Sequence, residues 1–248
     1  MNPVPRPRQT AYRAAVDIIL IPGFWLDGSS WDEVAPALER AGHQVRALTL
    51  PGLESADADR GGIGLRDHVA AVVAAVDEAD GPVVLVGHSG GGGIAHAAAD
   101  ARPDRVARVI YVDAGPLGAG QAINEELPEV DGEIPLPDWS DFDEPDLQDL
   151  DDDLRAAFRA RAVPQPTGVA YDKQELTDDR RYDVPATIIC CEFTSDQLRE
   201  WMAMGVPMFA ELAAMRDVEY VDVPTGHWPQ FTRPAQLGQA ILAAVDRT

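Results

Sequence analysis

Residues 83–99 read VVLVGHSGGGGIAHAAA, and the reading of this stretch decides the fold. Val83, Val84, Leu85 and Val86 form a short apolar run, the pattern of a strand buried on both faces. The alanine-rich run after the glycines has helical composition and stops before Pro103. Between them stands Gly87-His88-Ser89-Gly90-Gly91, a G-x-S-x-G sequence in the strand-then-helix setting that gives the motif its meaning. A turn this sharp strains the backbone of its central residue. Glycines on its flanks let neighbouring chain pass close by. The Ser89 hydroxyl is thereby displayed at the C-terminal edge of a sheet and at a helix N-terminus, where the helix dipole favours developing negative charge. The plainer alternative is a Gly-rich turn that cradles phosphate. The context favours Ser89 as a nucleophile.

Working outward, short apolar runs alternate with helical patterns, which indicates a mostly parallel sheet with helices on both faces. Strands are expected at 17–21, 44–48, 83–86, 106–112, 187–192 and 218–223. Helices are expected in 29–42, with Ser30 and Glu33 at capping-box spacing and Gly42 as the stop, and in 65–81, with Val69, Val72, Val73 and Val76 on one stripe. Two more follow Ser89 and close the chain over 233–247. Residues 115–182 break the alternation with many acids and prolines, and contain one helical stretch, DLDDDLRAAFRARAV at 149–163. Leu127, Ile134, Leu136, Trp139, Phe142 and Phe158 give this segment something to bury, so we read it as an inserted cap and not as a solvated linker. The expected organisation is a loose arm at 1–15, a core formed by 16–114 with 183–248, and a cap at 115–182.

A serine hydroxyl needs a base. Of His43, His68, His88, His96 and His227, only His227 lies just past the last strand and before the last helix, in VEYVDVPTGHWPQFTRPAQL. That is the sheet edge where Ser89 sits and where open α/β sheets bind ligands. His88 is too close to Ser89 in sequence to be its base and is a neighbour of the site. Stabilising an oxyanion takes two donors. One is the N–H of Gly90. The other comes from the loop after the first strand, IPGFWLDGSSW, where Phe24 follows Gly23. Trp25 beside it is a candidate substrate contact, as are His88, Trp139 and Phe142.

The formal net charge is −22, from 42 acids against 20 Lys and Arg. Such a chain is repelled by nucleic acid and by anionic membranes, so neither is expected as a partner. Hydrophobic residues make up 46%, enough for a substantial core. Cys190 and Cys191 are adjacent in a strand and point to opposite faces, so they read as buried apolar residues without a mutual bond. The start of the sequence lacks the apolar stretch of a signal peptide, and 16–25 is too short to span a bilayer. A soluble cytoplasmic protein is expected. Oligomeric state is not legible. The scattered histidines show no metal-ligand spacing, and no metal or cofactor is expected.

The segments PGFWLDGSSWDEVAPAL, GHSGGGGIA, RVIYVDAGP and PTGHWPQFTRP resemble the α/β-hydrolase superfamily, within it the branch of small serine esterases and hydroxynitrile-lyase-like proteins. The family usually has histidine before the glycine of the oxyanion loop. Here it is Pro22, which matters little to a backbone donor. The resemblance implies a Ser–His–acid triad without metal or cofactor, and a cap between the family's sixth and seventh strands. The acid usually follows the strand that reads ATIICCEF here, where Thr194 takes the usual position and Asp196 lies two residues on. Some branches carry it one strand earlier, at Asp113. We favour Asp113, with Asp196 as the alternative. The implied reaction is hydrolysis of a small neutral carboxylic ester or lactone through an acyl-serine. The rivals are a cofactor-free lyase on the same Ser–His pair, which the apparent lack of a nearby lysine disfavours, and a weakly catalytic ligand-binding protein.

Overall fold

The computed structural model describes residues 15–248; apart from Ala15, the expected N-terminal arm lies outside the described residues. Among the described residues eight strands run in chain order: β1 (Asp17–Ile21), β2 (Gln44–Ala47), β3 (Val83–His88), β4 (Val106–Val112), β5 (Glu133–Ile134), β6 (Gln165–Pro166), β7 (Ala186–Cys190) and β8 (Val218–Asp222). The helices are α1 (Ala35–Arg40), α2 (Leu65–Glu78), α3 (Gly90–Ala101), α4 (Asp152–Arg161), α5 (Thr167–Tyr171), α6 (Ser195–Ala203), α7 (Ala210–Ala214), α8 (Pro229–Thr232) and α9 (Pro234–Val245). Six strands form one sheet in the order β2-β1-β3-β4-β7-β8, and every neighbouring pair is parallel. All six therefore end on the same edge.

The strands alternate with period two between two buried layers. Ile18, Leu20, Val84, Val86, Ile110 and Val112 face α1 and α9. Ile19, Ile21, Leu85, Val109 and Ile188 face the other way, toward α2, α3 and residues of the 115–182 segment such as Ile134 and Phe158. Cys190 and Cys191 belong to opposite layers, buried and unbonded. Among the described residues no helix is long and apolar enough to cross a membrane.

Two local expectations are corrected. Ser30 and Glu33 form no capping box. Asp27 caps a short 3₁₀ turn at Gly28–Trp31 by accepting from the Ser29 N–H, and the Ser30 hydroxyl donates to the Asp27 carbonyl. Helix α1 starts later, at Ala35, with Pro36 in its first turn, where a missing N–H costs nothing. On α2 the buried stripe is Leu65, His68, Val72, Ala75 and Val76, with Val69 and Val73 on its flank. Gly42 does end α1 with φ +96°, the left-handed conformation that stops helices.

Between β4 and β7 the chain leaves the main sheet. This excursion contains the β5–β6 ribbon and helices α4 and α5. Asp151 caps α4 by accepting from the Leu154 N–H, and Asp152 and Asp153 complement the dipole in its first turn. The last part of the excursion is anchored twice to the core. Asp172 accepts from the Leu65 N–H at the start of α2, and Asp100 near the end of α3 accepts from the N–H groups of Thr177 and Asp178.

Packing is tight where β3 meets α3. A Cβ at Gly91 would stand 2.6 Å from the Pro22 carbonyl oxygen and 2.8 Å from that of Ile21, both immovable backbone. We expect Gly91→Ala to lower the unfolding free energy by about 3 kcal/mol. Gly81→Ala, where a Cβ meets nothing within 4 Å, should change it by less than about 0.5 kcal/mol. Urea melts of the two variants check this, and equal midpoints would refute it.

Candidate active site

Ser89 joins β3 to α3 with φ 52° and ψ −126°, a conformation that costs a non-glycine residue free energy and is held by its surroundings. A Cβ at Gly87 would lie 2.4 Å from the Gly91 carbonyl oxygen, and one at Gly23 would lie 3.0 Å from the Ser89 Cβ. The loop after β1 is thus laid directly on the turn. The Ser89 N–H donates to the Val112 carbonyl at 3.1 Å, and the Asp113 N–H to that of Ile189 at 2.8 Å, so the ladder continues one residue past β3 and β4. The sheet itself fixes where both side chains start.

His227 reaches the same point from the loop after β8. Its Nε2 lies 2.8 Å from the Ser89 Oγ, and its Nδ1 lies 2.8 Å from Asp113 Oδ2. With Nδ1–H donating to the carboxylate, Nε2 is left to accept the serine proton. The other Asp113 oxygen accepts from the N–H groups of Cys191 and Glu192 at 2.9 and 3.2 Å. Burial opposes ionisation of Asp113, but these bonds and His227 outweigh it and hold the carboxyl below its ordinary range. Asp196, the alternative acid, sits in the first turn of α6, 90% exposed and paired with Arg199. Thr194, at the family's usual acid position, caps that helix.

One residue that sequence reading missed joins the group. Glu192 Oε1 lies 2.6 Å from His227 Nδ1. Its signal was its place just past an apolar strand on the catalytic edge. Burial alone would lower the His227 pKa, but the bonds and charges of Asp113 and Glu192 raise it to about 10. They stabilise the imidazolium, the form the ring takes once it has accepted a proton. Asp113, Glu192 and His227 are also the set of ligand-type side chains that converges among the described residues. Their facing atoms are already engaged with one another.

The placement of His88 corrects its expected substrate contact. The ring is fully buried and does not line the cleft. Its Nε2 lies 2.6 Å from the His227 carbonyl oxygen, which can only accept, so Nε2 carries the hydrogen and Nδ1 accepts from Gln230 at 3.3 Å. Burial and the nearby charge of His227 push its pKa down to about 3. His88 therefore braces the loop that carries His227.

The 115–182 segment braces the same loop from outside. The Gly226 and His227 N–H groups donate to the Gln148 and Asp146 carbonyls at 3.1 and 2.8 Å.

A cleft of about 1620 Å³ opens over Ser89. Phe24, Trp25, Gly90 and Phe142 line it, with Phe193 and Trp201 from the region after β7. The Phe24 ring lies over Gly90, where a Cβ would meet it at 2.7 Å, and the Gly90 N–H belongs to the first turn of α3, without an intrahelical acceptor. Trp139 is a second correction. It does not line the cleft but packs edge-on against Trp228 and Phe158, with Phe142 at 5.6 Å, because aromatic burial was available one layer behind. A third concerns lysine. Lys173 does line the cleft, half exposed, with its Nζ 2.5 Å from Glu125.

Residues 18–240 match the alpha/beta hydrolase family, and the chain belongs to it. Over 201 residues it is 37% identical to lipase LipV of Mycobacterium tuberculosis, covering 70% of this chain and 73% of that protein. Over 99 residues it is 37% identical to a pyrethroid hydrolase of Sphingobium wenxiniae, covering 40% of this chain and only 35% of the relative. Its fold matches an extracellular alpha/beta-hydrolase from a Paenibacillus species at TM-score 0.71 and 21% identity, over 92% of this chain and 98% of the other. It also matches a pyrethroid hydrolase from Sphingobium faniae at TM-score 0.68 and 23% identity, over 94% and 98%.

The histidine environments set a pH signature. His68 and His88 are lowered to about 4 and about 3 by burial, so on acidification the unfolded chain takes up protons at these positions before the folded one does. They contribute stability that is complete above about pH 6.5 and declines as pH falls from there toward 4 and 3. Imidazole ¹⁵N spectra should show His88 as the neutral Nε2–H tautomer throughout pH 5–8 (roughly the physiological window). A His88 titrating near its unperturbed pKa would contradict the assignment.

Proposed function

We propose that this protein is a carboxylic ester hydrolase that uses Ser89 as nucleophile, His227 as general base and acid, and Asp113 as the group that orients the imidazole. The observation that carries the reading is the unbroken chain Ser89 Oγ–His227 Nε2 and His227 Nδ1–Asp113 Oδ2, with both distances at 2.8 Å. In this reading Ser89 attacks the ester carbonyl as His227 takes its proton. The N–H groups of Phe24 and Gly90 hold the oxyanion. His227 then protonates the leaving alcohol, and water repeats the sequence on the acyl-serine.

We assign residues 115–182 as the lid of the site, together with the region after β7 that brings Trp201 and Phe209 to the cleft. The cleft exceeds the roughly 300–1,000 Å³ of a common small-ligand pocket. Aromatic walls suit the apolar body of a neutral ester or lactone. Acids that line the cleft, among them Glu126, Asp141 and Asp143, disfavour substrates that bring their own carboxylate. The names of the relatives, a lipase and a pyrethroid hydrolase, agree with ester chemistry. Lys173 does not favour the lyase alternative, since its ammonium is paired with Glu125 in exposed surroundings.

Ser89→Ala should reduce hydrolysis of neutral p-nitrophenyl esters by about a million-fold, since triad members act as a unit. A fluorophosphonate probe should label the wild type at Ser89 and leave the variant unlabelled. Retained turnover in a clean variant preparation would falsify the serine mechanism. Dialysis against EDTA should leave turnover unchanged; a loss restored by one divalent metal would assign the converging acids and His227 to a metal instead.

A further inference from the structure

Two carboxyl groups compete for one hydrogen at the back of His227. Asp113 Oδ2 lies 2.8 Å and Glu192 Oε1 2.6 Å from the same Nδ1. They come from adjacent parallel strands: Asp113 directly follows β4, and Glu192 lies two residues beyond β7. The pair is mutually built, since Asp113 Oδ1 accepts from the Glu192 N–H and so fixes the backbone from which Glu192 projects. Their surroundings differ. The Asp113 side chain is 1% exposed, whereas that of Glu192 is 21% exposed.

Two carboxylates this close repel, and one of them holds a proton more readily. The asymmetry points to Glu192. Burial raises it to about 7, with the neighbouring Asp113 charge adding to burial and the contact with His227 opposing it. The titratable groups facing its carboxyl are Asp113 at the end of β4 and His227 in the loop after β8. Next to it in the chain the Cys191 thiol is pushed far up by burial and stays neutral, as does His88 beyond the imidazole.

We propose that Glu192 is a second acid of this site, a positioning residue that takes the His227 Nδ1–H when Asp113 cannot and otherwise governs the pH at which His227 becomes a free base. The proposal rests on the Ser89–His227 reading. No covalent step is involved; only proton positions change. With Glu192 protonated, Asp113 alone carries the charge and accepts Nδ1–H. Once Glu192 ionises, His227 faces two negative charges, which retain the imidazolium to higher pH.

The experiment is the pH profile of kcat/KM on a neutral p-nitrophenyl ester, for wild type, Glu192→Gln, Asp113→Asn and the double variant. Fluorophosphonate labelling of Ser89 in each tests the underlying reading separately. Glu192→Gln should keep its plateau rate within about tenfold of wild type and move the acid limb down by about one pH unit. Asp113→Asn keeps an oxygen for the Cys191 and Glu192 N–H groups and should lose only about a hundredfold, with Glu192 taking over. The double variant should lose about ten-thousand-fold, as expected when no acid fixes the tautomer. The proposal is overturned if Asp113→Asn is as impaired as the double variant and Glu192→Gln has the wild-type pH profile. Should Asp113→Asn not fold by circular dichroism, the Glu192→Gln profile alone decides: a shifted acid limb supports the proposal and an unshifted one overturns it.

Discussion

Between Gly87 and Gly91 the chain turns so tightly that a Cβ at either glycine would stand within 3 Å of backbone oxygen. The other features of the site are arranged around that turn. It needs a buried strand behind it, supplied by Val83 to Val86, and a helix ahead of it, supplied by the run from Gly90 to Ala101. It needs the β1 loop to lie flat against it, and Gly23 makes that possible by leaving room for the His88 and Ser89 side chains. Phe24, the next residue, lays its ring over Gly90.

The parallel sheet does the remaining placement. Five residues of the site, Phe24, Ser89, Asp113, Glu192 and His227, all follow the C-terminal ends of strands, from β1, β3, β4, β7 and β8. The loop with His227 is less constrained by the sheet, and two outside contacts compensate. His88 holds its carbonyl from within, and the backbone at Asp146 and Gln148 holds its N–H groups from the 115–182 segment. That segment therefore helps to position His227 as well as lining the cleft.

Much of this was legible in the sequence. Strand positions followed from runs of Val and Ile with turn residues on their borders, because buried parallel strands leave that pattern plainly. Ser89 and His227 were legible because each lies at a strand end on one edge. Other features depend on distances between residues far apart in the chain. Nothing local in ATIICCEF shows that Glu192 approaches the same nitrogen as Asp113, since that depends on β4 and β7 being neighbours with a particular register. Nothing in PDWSDF separates Phe142, which reaches the cleft, from Trp139, which packs behind it. His88 was read as facing a ligand because it stands next to Ser89, yet strand alternation turns neighbours to opposite sides.

The acids that line the cleft bear on the end of a reaction cycle as much as on its beginning. Hydrolysis of a neutral ester creates a carboxylate where no charge stood before. Here that anion would arise in a cleft that Asp141, Asp143 and Glu126 also line, in a chain whose formal charge is already −22. Repulsion of this kind acts on the product and spares the uncharged reactant. In the proposed ester hydrolysis it would hasten departure of the acid and weaken inhibition by accumulated product. The repulsion fades with added salt as screening shortens its reach to about 8 Å at physiological ionic strength.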